Sequence, residues 1–189
     1  TEKAAEIKNK FDAEGLDIFS LGSPIGKINA DEDFEPHLEK FRRTLETANI
    51  LGAKNIRVFS FYIPNGCEAA SFRNEVIDRL GQMCSLAKES GIDICHENEK
   101  GIYGDTPARC LEIFSALPDM RGIFDPANFV QCGEDTIRAW AMLKNYIKYL
   151  HIKDSLTDGR IVPAGMGSGN ITAILSEYIA LGGKSVTLE

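Results

Sequence analysis

Short runs rich in β-branched and aromatic residues alternate with longer segments of helical periodicity along this chain, at 16–21, 55–62, 92–97, 121–125, 148–153 and 185–189. Consecutive strands separated by a crossover helix run parallel, because the chain must return to the starting edge before laying down the next strand. A parallel sheet sends every strand end to the same side, so residues remote in sequence meet in one pocket there. That edge is where chemistry is expected.

The intervening segments carry helix punctuation. Leu38, Phe41, Leu45 and Ala48 recur at three- and four-residue spacing over 36–51, and the run stops at Gly52, a natural left-handed cap. Phe72, Val76, Leu80, Met83 and Ala87 repeat the pattern over 68–90 before Gly91. Thr106 and Pro107 read as N-cap and first-turn proline of the next helix, Asn170 as the cap of a last helix over 171–181, and Thr1 to Lys8 as a charged helix. No linker divides residues 1–189, which predicts a single domain. Helix-then-strand order at the start and a strand at the end predict part of a closed (β/α)8 barrel. Such barrels commonly need ~250 residues, so the expectation is a chain without the first two strands and the last helix of the barrel. An open doubly wound sheet is the alternative.

Four of the strand-like runs end in ligand-type side chains: Glu97, Asp125, His151 and Glu189. A carboxylate at a strand end is often only a helix cap or an ion-pair member. Several carboxylates forced together repel, however, and a divalent cation is their natural compensation. Three carboxylates with one imidazole suit one divalent ion of manganese, magnesium or cobalt, with zinc less favoured than at sites richer in nitrogen or thiolate. Alternation along a strand turns His96 away from Glu97 towards the helix layer, as a structural histidine, and gives Lys153 the inward parity of His151, towards a substrate oxygen or a pocket acid. The glycines of Gly165 to Gly169 read as tight-turn formers before they read as a phosphate cradle. Trp140 reads as helix core, and His37 carries no catalytic expectation.

Composition narrows the partners. With 43% hydrophobic and 26% charged residues the chain can bury a core, and its net charge of −7 without a basic run argues against nucleic acid and for a small molecule. No stretch of eighteen apolar residues signals a membrane span, and the charged start is unlike a secretory leader. The five cysteines, widely spaced and without a Cys-x-x-Cys pair, fit a reducing cytoplasm. A homo-oligomer is compatible with all of this.

Five motifs occur in order: His96-Glu97-Asn98-Glu99, Phe124-Asp125-Pro126-Ala127-Asn128, His151-Ile152-Lys153-Asp154, Arg160 to Gly167, and the closing Thr187-Leu188-Glu189. Together they resemble the xylose isomerase-like TIM barrel superfamily, specifically its sugar phosphate isomerase/epimerase branch, from about residue 16 onward. The resemblance implies a metal held by Glu97, Asp125, His151 and Glu189, with Glu97 and Glu189 also carrying protons on opposite faces of a bound ketose. The reaction implied is isomerisation or epimerisation of a sugar, keto-sugar or sugar phosphate through a metal-stabilised enediolate. Arg160, two residues before Val162-Pro163, holds the place of a substrate-contacting arginine. Asn128 stands where many relatives have histidine and suits a hydrogen bond to a substrate hydroxyl. An inosose-type dehydratase on the same centre and a non-catalytic sugar-binding protein are the alternatives. The abasic-site endonucleases of the superfamily, with their additional histidines, fit poorly a chain that has three.

Overall fold

The computed structural model describes residues 2–189. Its centre is a six-stranded sheet, β1 (Ser20–Leu21), β2 (Asn55–Val58), β3 (Asp93–Glu97), β4 (Arg121–Phe124), β5 (Ile147–Ile152) and β8 (Val186–Leu188), in that spatial order. Every neighbouring pair is parallel. Spatial order follows chain order with no reversal, so there is no switch point of the kind that defines a doubly wound sheet, and the barrel expectation holds over the alternative. β1 and β8 are the two edges of the sheet.

Each crossover carries helix. The main helices are α1 (Glu2–Ala13), α2 (Glu35–Leu51), α3 (Arg73–Glu89), α4 (Pro107–Ala116), α5 (Pro126–Gln131), α6 (Thr136–Leu143) and α7 (Ile171–Ala180). Thr1, the first residue of the expected N-terminal helix, lies outside the described residues. Leu38, Phe41, Leu45 and Ala48 of α2 and Val76, Leu80 and Met83 of α3 are buried in one core with Ile56, Val58, Ile94, Phe124 and Leu150 from the outer face of the sheet. The opposite face, towards the barrel axis, carries a small separate cluster of Cys95, Ile123 and Tyr149. Gly52 closes α2 at φ 73° and Gly91 follows α3 at φ 67°, as the left-handed caps require. Thr106 accepts a hydrogen bond from the Arg109 amide at the start of α4. Trp140 is buried against Phe124 and Tyr178, with its indole N–H on Glu177, in the core role expected.

Three local expectations are corrected. The run 16–21 enters the sheet only at Ser20–Leu21. Asn170 does precede α7, but it sits in the left-handed region at φ 53° and makes no side-chain cap; its amide instead donates to Thr136 Oγ1 at 2.9 Å. The run 55–62 leaves the sheet after Val58. Phe59 and Phe61 amides donate to Ile25 and Gly26 carbonyls, and Phe61 adopts φ 64°, a conformation costly for a bulky residue. This tertiary ladder ties the 25–28 loop over the strand ends.

After β5 the chain forms a two-strand antiparallel hairpin, β6 (Asp154–Ser155) with β7 (Ile161–Val162), too short for any sequence period to reveal. The glycine loop that follows wraps the fully buried Asp154 carboxylate: Oδ2 accepts from the Gly165 and Gly167 amides and Oδ1 from those of Ser155 and Gly169, each at 2.9 Å. The amides that could cradle a phosphate thus already hold an internal anion. A Cβ at Gly167 would fall 2.4 Å from Asp154 Oδ1, so glycine is required by the close approach of the carboxylate and not by turn geometry alone. Replacing the carboxylate by an amide introduces an N–H facing N–H donors. Asp154→Asn is therefore expected to lower unfolding stability by ~3 kcal/mol in urea denaturation, the scale of losing charge-assisted hydrogen bonds in a buried site, and Gly167→Ala is expected to melt the same loop.

Candidate metal centre and cleft

The strand ends converge. One ligand atom from each of Glu97, Asp125, His151 and Glu189 lies within 4.8 Å of all the others. Glu97 ends β3, Asp125 and Glu189 immediately follow β4 and β8, and His151 lies in β5 with its side chain on the axial face beside Tyr149. Glu97, Asp125 and His151 are buried, whereas Glu189 is 37% exposed.

Asp125 fulfils both readings open to a strand-end carboxylate. Its Oδ1 caps α5 by accepting from the Asn128 amide at 2.9 Å, while Oδ2 faces Lys153 Nζ at 3.2 Å. The cap orients the carboxylate and leaves its second oxygen for the site. Asn98 fastens this corner, because its side chain exchanges two hydrogen bonds of 3.0 Å with the Asp125 backbone. Asn128 Nδ2 donates to the Asn98 carbonyl at 2.8 Å and lies 3.4 Å from Glu97 Oε1, and its Oδ1 accepts from Lys153.

His151 Nδ1 stands 3.1 Å from Glu97 Oε1 and 3.3 Å from Glu189 Oε2. Burial alone would push the imidazole down, but hydrogen bonds with Asp125, Glu189 and Glu97 outweigh it and raise its pKa to about 11. The same contact with His151, helped by Lys153, holds Glu189 well below the usual carboxylate range against the opposing effect of burial. Lys153 is likewise kept charged: burial disfavours the ammonium, and Asp125 and Glu189 reverse that.

Sequence reading missed Arg57. Its Nη1 lies 3.2 Å from Glu97 Oε2 and 3.1 Å from Glu189 Oε1, and its guanidinium sits over the Phe59 ring. The signal was available, since Arg57 pairs in register with Cys95 and so shares the axial parity of Glu97. Lys27 and Glu99, paired at 2.8 Å, form another part of the wall. Together with Arg57, Glu97, Asn128 and Lys153 they line a cleft of about 360 Å³. A larger hollow of about 480 Å³ lies by Ile147 and Ser185, at the opposite ends of the strands, and no carboxylate lines it. Arg160 does not reach the cleft. It is exposed on the hairpin after β6 and its Nε pairs with Asp158 at 2.8 Å.

His96 points into the helix layer, fully buried, with Nε2 2.9 Å from Ser60 Oγ and its ring edge-on to Phe114. Gly104 packs so closely on it that a Cβ there would lie 2.5 Å from His96 Cε1.

The donor set fits a divalent cation by two observations of its own geometry. The four ligand atoms converge from separate strands, and Glu97 Oε2 is buried without a hydrogen-bond partner. Arg57 Nη1, 3.2 Å away but outside hydrogen-bonding geometry, gives this oxygen charge and no hydrogen bond, which leaves a lone pair free for a metal ion.

The sequence pattern of the xylose isomerase-like TIM barrel matches residues 1–184. The chain belongs to that family. No curated protein sequence matches it. Among solved structures, a D-tagatose 3-epimerase-like protein superposes with a TM-score of 0.84 at 20% identity, over 99% of this chain and 75% of that one. The probable 3-DHS dehydratase of petrobactin synthesis from Bacillus anthracis gives 0.81 at 21% identity, over 100% and 75%. The IOLI protein with a bound zinc atom gives 0.79 at 16% identity, over 98% and 71%. At these identities the likeness concerns the fold.

Burial pushes His96 down to about 3, from an ordinary value of 6.5. The unfolded chain therefore takes up a proton here before the folded one does, so stability present above pH 6.5 is lost as pH falls towards 3, at up to ~1.4 kcal/mol per pH unit. His96→Gln, which keeps a partner for Ser60 but does not titrate, is expected to flatten the decline of melting temperature over that interval; an unchanged slope would show that His96 does not drive it.

Proposed function

We propose that the protein is a divalent-metal-dependent isomerase or epimerase of a keto-sugar or related carbohydrate, acting by proton transfer between carbon and two glutamates. The observation that carries this reading is the placement of Glu97 and Glu189 in one cleft, each with an oxygen near His151 Nδ1. Glu97, Asp125, His151 and Glu189 would hold the ion. When bound, it supplies positive charge beside the substrate carbonyl, where negative charge develops as the α-proton leaves.

The chain's own groups divide the remaining work. Glu97 is buried, with Asn128 Nδ2 3.4 Å from its Oε1, so its carboxylate is held in place before substrate arrives. Glu189 is more exposed and is restrained by Lys153. When Lys153 turns to a substrate oxygen, Glu189 loses a stabilising contact to its charged form and becomes a stronger base. Asn128, whose Nδ2 is held by the Asn98 carbonyl and whose Oδ1 meets Lys153, is suited to orient a hydroxyl through Oδ1. Arg160, engaged by Asp158 away from the cleft, has no part in this reading.

Dehydration is the second reading. Lys153 presents an ammonium beside Asp125 and Glu189, and a charged donor at that place can protonate a departing hydroxide after the same deprotonation. Product mass separates the two, because water is lost only in dehydration. The compartment proposed is the cytoplasm, which suits the five free thiols. Among the described residues no helix is long and apolar enough to cross a membrane.

Elemental analysis of the purified protein is expected to find one manganese, magnesium, cobalt or zinc ion per chain, and none in Asp125→Ala/His151→Ala. Absence of metal after incubation of the native protein with each ion would move the assignment to a binding protein. Glu189→Gln that retains metal and fold is expected to slow exchange of the substrate α-proton with heavy water by ~10²–10⁴-fold; normal exchange would remove Glu189 from the chemistry.

A further inference from the structure

We propose that Arg57 and Lys153 form an oxoanion fork, so that the substrate of this cleft carries a carboxylate or phosphate close to its reacting carbons. The inference deepens the proposed function and rests on it for the identity of the cleft. Its geometry is already displayed within the molecule. Arg57 Nη1 lies 3.1 Å from Glu189 Oε1, and Lys153 Nζ lies 3.3 Å from Glu189 Oε2, so one carboxylate is gripped through both oxygens by two different cations. Glu189 is the most exposed of the convergent carboxylates.

Arg57 also has capacity to spare. Its Nε is buried without a hydrogen-bond partner. A planar guanidinium presents adjacent N–H donors in the geometry of a carboxylate or phosphate edge, and Phe59 supports it from below. Charge balance points the same way. A divalent ion neutralises two of the three negative charges of Glu97, Asp125 and Glu189, leaving one to share between Arg57 and Lys153. Lys27 does not alter the balance, because Glu99 already pairs with it. A neutral sugar would leave a partly buried positive charge uncompensated, whereas an anionic substituent completes the site.

The fork can be tested without metal. In metal-free Glu189→Gln the internal carboxylate is gone, and isothermal titration calorimetry is expected to show inorganic phosphate or propionate binding about tenfold more tightly than in the metal-free native protein. The tighter of the two probes identifies the oxoanion. Adding Arg57→Gln or Lys153→Gln to Glu189→Gln is expected to abolish the gain, with thermal melting used to confirm that each variant is folded. The proposal is overturned if Glu189→Gln binds neither anion more tightly, if the gain survives loss of Arg57, or if D-fructose shows the same gain. Because no metal is present, these outcomes are independent of the metal analysis that tests the proposed function.

Discussion

Like charges crowded at the end of a parallel sheet are the constraint to which the rest of this structure answers. Two unit charges about 4 Å apart interact by ~4 kcal/mol at the effective dielectric of a protein surface, and Glu97, Asp125 and Glu189 lie together around one imidazole. Repulsion on that scale is comparable with the whole stability of a domain. The neighbouring side chains read as its compensation. His151 is driven towards its charged form, Lys153 bridges Asp125 and Glu189, and Arg57 bridges Glu97 and Glu189. These groups come from the ends of β2, β3, β4, β5 and β8, and a sheet in chain order with all strands parallel delivers them to one place.

Two anion sites lie close together in the chain and are satisfied differently. Asp154, one residue beyond Lys153, is neutralised by backbone amides of the glycine loop with no cation involved. The carboxylates of the cleft are neutralised by mobile cationic side chains. Backbone donors cannot leave without unfolding the loop, so Asp154 pins the end of β5 to the start of α7 and serves architecture. Side-chain donors can exchange partners at small cost, and that exchange is what a cleft needs if ligands are to enter it.

Much of this was legible from periodicity. The six strands, their parallel sense, the helix stops at Gly52 and Gly91 and the convergence of Glu97, Asp125, His151 and Glu189 all follow from alternation, punctuation and the geometry of crossovers. The outward turn of His96 follows from strand parity alone. What escaped depended on contacts with no local signature. The run 55–62 has the composition of a strand throughout, yet its second half departs because the 25–28 loop offers competing carbonyls. Asn170 has a good capping side chain, but Thr136, far away in sequence, takes its amide. Arg160 occupies a promising place in its motif, yet it lies exposed on the hairpin, paired with Asp158. Arg57 was overlooked for the opposite reason: a charged residue at the axial parity of an apolar run is itself the signal.

The two glutamates of the proposed reaction are unequal in ways that suit transfer between opposite faces of one carbon. Glu97 is 2% exposed and tied to His151 and Asn128 from a central strand, so its position is set before substrate arrives. Glu189 is restrained chiefly by the long cationic side chains of Arg57 and Lys153, and its position depends on what those cations hold. An anion seated between Arg57 and Lys153 would therefore act on Glu189 directly by taking over its partners, whereas Glu97 would keep its place beside Asn128. Substrate recognition and readiness of the second proton carrier then become one event, with Arg57 as the residue through which they are linked.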